Sequence, residues 1–286
     1  MSSVNFSEIL SGGFNTWKNN LGICIPFILG MVISLFVAAT ILLIALFSIF
    51  MPIIETLFTN PSSITSTEFF SQIFRTVFEN LWIIIVASVI TAVIAGLINA
   101  FFTSGAIGMA KEAILTGRTN LSHMVDYGKR KYLSLFAANI IVGLIASVGF
   151  LFLIPGILSL YSIATDPSVS ISGYGIFAVF TLLIGLIPMA VYMLAMSILL
   201  ALVSYAVVLD DLKAIEGFKK GVRVVWHNKI NVFLIWLIVL VVGIVAGLIG
   251  NIPFVGWILS LIVSLVIVSP LTAIWWSKLY LGISKA

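Results

Sequence analysis

Charge is scarce in this chain: Asp, Glu, Lys and Arg make up 8% of its 286 residues. Soluble domains carry about a quarter, so the balance excludes an ordinary globular enzyme. Cysteine occurs once, at Cys24, which excludes an intrachain disulfide framework and a cysteine-based metal cluster. The two histidines, His123 and His227, lie far apart and neither forms an H-E-x-x-H pattern. Zinc needs three or four ligands, so no metal site is expected; with no glycine-rich phosphate loop either, no cofactor is expected. What abounds is apolar side chain, 62% of residues, with a mean hydropathy of +1.26. Disorder needs the opposite bias. The composition fits a chain that is mostly transmembrane helix.

The few charges divide the chain into uncharged stretches at residues 19–54, 80–110, 132–165, 167–209 and 230–277. Each exceeds the roughly 20 residues that span a bilayer core. The last carries Gly250-Asn251-Ile252-Pro253-Phe254-Val255-Gly256 at its middle, a turn signal, and divides into spans at about 230–249 and 254–277. The fourth contains Pro188 after a Ser/Gly-rich start at 168–175. One helix kinked near Pro188 fits it better than two halves too short to span, although an interruption stays open. Six spans result. With six, the N-terminal segment, the second and fourth loops and the C-terminal tail share one side. That side holds thirteen of the fourteen Lys and Arg; Arg75 alone lies opposite. The positive-inside rule then puts both termini in the cytoplasm of a cell membrane. The first twenty residues lack the basic start of a secretory signal, and Asn60-Pro61-Ser62 is disqualified as a glycosylation acceptor by its proline.

Three basic-side segments each precede a span and are amphipathic. Phe6, Ile9, Leu10, Gly13 and Trp17 oppose Glu8, Ser11, Asn15 and Lys18. Leu121, Met124, Val125, Gly128 and Tyr132 oppose His123, Asp126 and Arg130. Ile215, Phe218, Val222 and Trp226 oppose Lys213, Glu216, Lys220, Arg223 and His227. Such spacings suit helices lying in the membrane interface. Ser7 aligns with Ser122, Gly13 with Gly128, and Trp17 with both Tyr132 and Trp226. The expected fold is therefore all-α: a polytopic membrane protein of six transmembrane helices in three hairpins, each preceded by an amphipathic interfacial helix on the cytoplasmic side. Residues 1–286 form a single integral membrane domain with pseudo-repeats at about 5–110, 119–209 and 211–277. A fourth amphipathic segment, 68–79, lies on the outer side.

These segments carry a resemblance. Phe6-Ser7-Glu8-Ile9-Leu10 with Trp17-Lys18-Asn19-Asn20 resembles the opening of a broad family of prokaryotic, often archaeal, six-helix membrane proteins of unknown function. So do Gly108-Met109-Ala110-Lys111-Glu112-Ala113 with Gly117 and Gly128-Lys129-Arg130, and Tyr205-Ala206-Val207-Val208-Leu209-Asp210 running into Ala214–His227. The family is similar to the membrane domain attached to some glycerophosphodiester phosphodiesterases. The resemblance implies an architecture rather than a reaction, and nothing here could house the soluble catalytic barrel of such enzymes.

No catalytic constellation is present, so a non-enzymatic protein acting through lipid or partner contacts is expected. The surface expected to meet the anionic inner leaflet comprises Trp17, Lys129, Arg130, Lys131, Lys219, Lys220, Arg223 and Trp226. The 210–229 segment is its main part, with Asp210 and Asp211 favouring the start of the new helix. Helix packing is expected at Gly96, Asn99, Asn139, Gly243 and Gly247, where small residues recur every four positions or amides can bond between helices. Ionisable groups, which mark coupled transport when placed at the midplane, are missing from the spans. A channel or facilitator for a small neutral solute is the alternative. An unidentified protein partner or a homo-oligomer stays open; nucleic acid is not expected.

Overall fold

The structure, a computed structural model, describes residues 6–59, 67–165 and 171–284. Asn60-Pro61-Ser62, residues 167–170 and Lys285 fall outside them. Among the described residues every regular element is helical; a helix is one of the two ways, with the closed barrel, in which a backbone satisfies itself without water.

Helix α1 (Phe6–Asn19) meets α2 (Cys24–Thr59) through one 3₁₀ turn, Leu21–Ile23. Helix α3 (Thr67–Glu79) precedes α4 (Leu81–Thr116), which ends at Gly117 with φ 81°. That left-handed conformation favours glycine, and the Gly117 N–H closes the helix on the Ala113 carbonyl. Asn120 then caps α5 (Leu121–Ser147) by accepting from the His123 N–H at 3.2 Å. Helix α5 passes through a 3₁₀ segment, Val148–Leu153, into α6 (Ile154–Thr165). Pro155 can donate no helical bond back to Leu151, which accounts for the irregular stretch before it. Next come α7 (Ile171–Leu199), α8 (Val203–Leu209), α9 (Ala214–His227) and α10 (Lys229–Ile249). A π-helical segment, Ser264–Val268, joins α11 (Gly256–Val263) to α12 (Ser269–Ile283).

Six helical runs are long and apolar enough to cross a membrane: Leu21–Glu55, Leu81–Thr116, Leu121–Tyr161, Ile176–Leu209, Lys229–Ile249 and Gly256–Ile283. Two local expectations change. The second amphipathic segment is no separate helix, because α5 runs unbroken from Leu121 to Ser147; Gly128 lets the Phe101 ring approach without interrupting it. The fourth stretch is interrupted at residues 200–202, where turn bonds replace the helical ladder, while α7 continues through Pro188.

Burial is uneven. It concentrates where the basic residues gather: in the second half of α4, the first half of α5, all of α8, and α12. Helix α12 is central and packs against α1, α2, α4, α8 and α10. Its Ile274, Leu279 and Tyr280 are fully buried. Farther from this end the packing is mainly pairwise, α2 on α4 and α6 on α7, and side chains such as Phe36, Phe47, Ile187 and Leu248 stand exposed.

Candidate functional site

The connection between α8 and α9 organises the basic end. Helix α8 ends at Asp210, and Asp211 adopts φ 57° while the Leu212 N–H reaches the Val207 carbonyl at 3.1 Å. This is a Schellman closure with aspartate where glycine usually sits, tolerated because short polar side chains enter the left-handed region most easily. Two lysines reach carbonyls here, one that the helix ending leaves free and one in the turn that follows. Lys111 of α4 donates to the Leu209 carbonyl at 2.8 Å, and Lys131 of α5 to that of Leu212 at 3.3 Å. Cations are favoured at a helix C-terminus, where the peptide dipoles leave partial negative charge.

Both carboxylates of the turn are engaged. Lys131 Nζ lies 2.6 Å from Asp211 Oδ1, with Arg130 Nε at 3.3 Å from the same oxygen. The Lys131 ammonium holds the Asp211 carboxyl below the usual carboxylate range, by its hydrogen bond first and its charge second. Asp210 Oδ2 accepts from the Tyr280 hydroxyl at 2.5 Å and meets Lys220 Nζ at 2.6 Å. Beside them Tyr127 donates to Glu112 Oε1 at 3.0 Å, while Arg130 lies over the Tyr127 ring. The cluster thus ties α4, α5, α9 and α12 to one turn. Nearby, the buried Asn20 side chain donates to the Thr16 and Gly117 carbonyls and accepts from the Thr119 N–H. It joins the α1–α2 junction to the α4–α5 turn.

This geometry redistributes the residues expected to face lipid. Lys131 is 7% exposed and consumed internally; Arg130 and Lys220 are ion-paired to the turn. Trp17 is half-buried, its indole donating to the Val266 carbonyl at 2.9 Å, so it packs against the sixth span instead of anchoring at a surface. Asp210 and Asp211 complete the end of α8 rather than the start of α9. Lys129, Lys219 and Arg223 remain exposed, with no ion pair among the described residues. Trp226 is 60% exposed and carries Lys229 Nζ 3.9 Å from its ring centre.

Helix α9 reaches the bundle through glycine. Gly217, Gly221 and Val225 form its buried stripe. A Cβ on Gly221 would stand 2.7 Å from Val203 Cα, and one on Gly217 3.1 Å from Val207 Cα. On one flank of the stripe come Phe218, Val222, Ile215 and Trp226; on the other lie Lys213, Glu216, Lys220, Arg223 and His227, with Lys219 opposite the stripe. Among the packing expectations, Gly96 lies beneath the Phe136 ring, 2.8 Å from its Cβ position. Gly243 and Gly247 do not pack against the described residues: a Cβ on either meets none of them within 4 Å. Asn99 bonds within its own helix, accepting from the Thr103 hydroxyl at 3.2 Å. Asn139 is half-buried, with no side-chain bond among the described residues.

Tyr280 was not singled out from sequence, and Lys111, Asn20, Gly217 and Gly221 entered only within the segments that carry the family resemblance, with no role assigned. The signal for the glycines was present: a G-x-x-x-G spacing in an amphipathic helix that follows a very short connection. Among the described residues no group of three or more His, Cys, Asp or Glu could hold a metal.

Comparison with known proteins adds kinship. The chain is 26% identical to an uncharacterized protein of Archaeoglobus fulgidus over 98% of its own length and 96% of that protein's. No solved structure matches. The likeness to phosphodiesterase membrane domains finds no support in these comparisons. The family model of the DUF7847 domain of unknown function matches residues 52–282, and the chain belongs to that family.

Proposed function

We propose that this is a non-enzymatic, multi-pass protein of the cell membrane, with both termini cytoplasmic, whose basic end holds anionic lipid headgroups of the inner leaflet. The observation that carries this reading is the three-way division of α9. Its glycine stripe packs on α8, one flank is apolar up to the exposed Trp226 and Ile215, and the other carries Lys213, Lys220 and Arg223, with Glu216 and His227 among them. An interfacial helix needs an apolar flank at the acyl boundary and cations among the headgroups, each contributing about 1 kcal/mol there. Lys220 of this helix pairs with Asp210, which also accepts from Tyr280 of α12, so in a bilayer the helix would be held at one depth. The thirteen-to-one distribution of Lys and Arg supports the orientation. Three hairpins, α2 with α4, α5–α6 with α7–α8, and α10 with α11–α12, complete the proposed arrangement.

The test is lipid selectivity of the full-length protein in bilayers. Electron spin resonance should show spin-labelled phosphatidylglycerol immobilised at the protein surface in preference to phosphatidylcholine. The preference should shrink with salt and in a Lys219→Glu, Arg223→Glu variant. Equal immobilisation of both lipids by the unmodified protein would remove the lipid-docking role and leave the charges a purely topological one.

A further inference from the structure

A groove of about 500 Å³ lies between α2 and α4, away from the basic cluster. Its walls are mostly apolar: Pro26, Phe27, Met31 and Leu35 from α2, Phe102 from α4, and Leu265 from the π-helical segment. Polar groups enter it from Ser34, Asn99 and Thr103. The third wall is pinned, since the Val266 carbonyl accepts from both the Trp17 indole and the Cys24 thiol, the latter at 3.2 Å. A concave, largely apolar cavity with a few converging polar groups is what a small-molecule site looks like.

Asn99 narrows the occupant. Its side chain stands exposed at the groove; Thr103 engages its Oδ1, and its amide nitrogen has no partner among the described residues. Asn99 lies twelve residues before Lys111, the first charge on α4 after the apolar run, so about 18 Å along the helix axis. That is near the midplane of a core about 30 Å thick. At this depth no water is available, and an unmet N–H costs several kcal/mol. A phospholipid keeps its ester oxygens at the edge of the hydrocarbon, too shallow to reach it.

The geometry points to a binding site for one molecule of a neutral, chain-bearing carbonyl compound dissolved in the bilayer, its oxygen accepting from Asn99 and its chain lying along Phe27, Met31 and Phe102. The inference rests on reading the six apolar runs as membrane-crossing.

The full-length protein in phosphatidylcholine–phosphatidylglycerol nanodiscs would be photolabelled with a benzophenone carrying a dodecyl chain, whose ketone is both acceptor and crosslinker. Labelling is expected in the α2 and α4 peptides that carry Met31 and Phe102, with excess 2-heptadecanone suppressing it and heptadecane failing to. Asn99→Leu should lower it roughly tenfold, the value of one buried hydrogen bond. Ala38→Phe, which fills the groove and leaves Asn99 in place, should do the same while melting as the parent does. Labelling spread over all six spans, or heptadecane competing as well as the ketone, would overturn the proposal. So would a protein of twice 31.0 kDa with its groove peptides protected, which would put a second copy there. A chain that fails to enter bilayers at all would bring down the membrane reading itself, a different failure from an unoccupied groove.

Discussion

Two glycine pairs with the same spacing behave oppositely. Gly217 and Gly221 on α9 press against the backbone of Val207 and Val203, whereas Gly243 and Gly247 on α10 face open space. Both pairs permit close approach; only one has something to approach. The connection between α8 and α9 is short and tightly closed, so α9 is folded back onto the helix that precedes it. Helix α10 leaves α9 at Asn228, and although it meets α7, α11 and α12, none of the described residues comes within 4 Å of a Cβ placed at Gly243 or Gly247. Spacing grants permission for contact, and chain path decides whether contact occurs.

The largest effect expected from this comparison is at Gly221. Its missing Cβ is hemmed by Val203 Cα at 2.7 Å, Val203 N at 2.9 Å and the Leu202 carbonyl carbon at 3.1 Å, all backbone, so no rotamer change can make room. Gly221→Leu should cost about 3 kcal/mol, the upper end of overpacking penalties, and detach α9 from α8. Thermal unfolding in detergent gives the loss of stability, and protease cleavage within 213–228 reports the detachment. A variant that melts as the parent does would show that α9 does not sit on α8.

Next is Lys131, which sharpens the contrast between cations used inside and those left outside. Lys131→Met keeps the length of the side chain but removes the ion pair to Asp211 and the bond to the Leu212 carbonyl. A loss of roughly 1–3 kcal/mol should follow, since a part-buried acceptor loses its donor and Asp211 its closest cation. Lys129→Met, two residues away and exposed, should stay within about 0.5 kcal/mol. Equal melting temperatures for the two variants would break the distinction between the residues.

Asp211 should contribute less, its side chain being 56% exposed and its ion pairs screened to below about 1 kcal/mol. Its folded carboxyl titrates below the unfolded one because Lys131 favours the charged form. The contribution is therefore complete above the unfolded value near ~3.9 and is lost as pH falls through the folded value. Asp211→Asn tolerates the left-handed backbone equally well and isolates the charge. The gap in melting temperature between parent and variant should be constant from neutral pH down to about 5 and close below ~4. A gap that persists unchanged in acid would assign the stabilisation to something other than the carboxylate.

The spans, the turn at residues 250–256 and the basic end were legible because hydropathy and charge are local properties of the chain. The polar cluster was not. Asp210 and Asp211 follow a long apolar run, and from sequence they serve equally to end α8 or to begin α9; only the left-handed backbone at Asp211 decides it. Lys111 and Lys131 look like any basic loop residues until α4 and α5 place them beside the α8 C-terminus. Trp17 misled for a related reason. An aromatic at the end of an amphipathic helix reads as an interfacial anchor, yet the π-helical segment of the sixth span turns out a carbonyl that its indole takes. These are meetings between residues about 80 to 250 positions apart, and periodicity carries no signal for them.

The smallest effect belongs to the other glycine pair, and its direction separates two accounts of α10. At Gly247 an added Cβ meets none of the described residues within 4 Å, so Gly247→Leu should find room at its first carbon. Replacing a mid-helix glycine also removes backbone freedom from the unfolded state, a gain of up to about 1 kcal/mol in helix propensity. In detergent the variant should therefore melt at or slightly above the parent's temperature, the reverse of what Gly221→Leu does with the same substitution. Destabilisation would mean that the Gly243/Gly247 face is occupied. Since none of the described residues lies within 4 Å of a Cβ there, the occupant would be a second copy, and the loss should then be accompanied by a change in oligomer mass measured in the same detergent. A loss of stability at constant mass would instead show that α10 lies against the bundle on this face, and the open side of the helix would have to be redrawn.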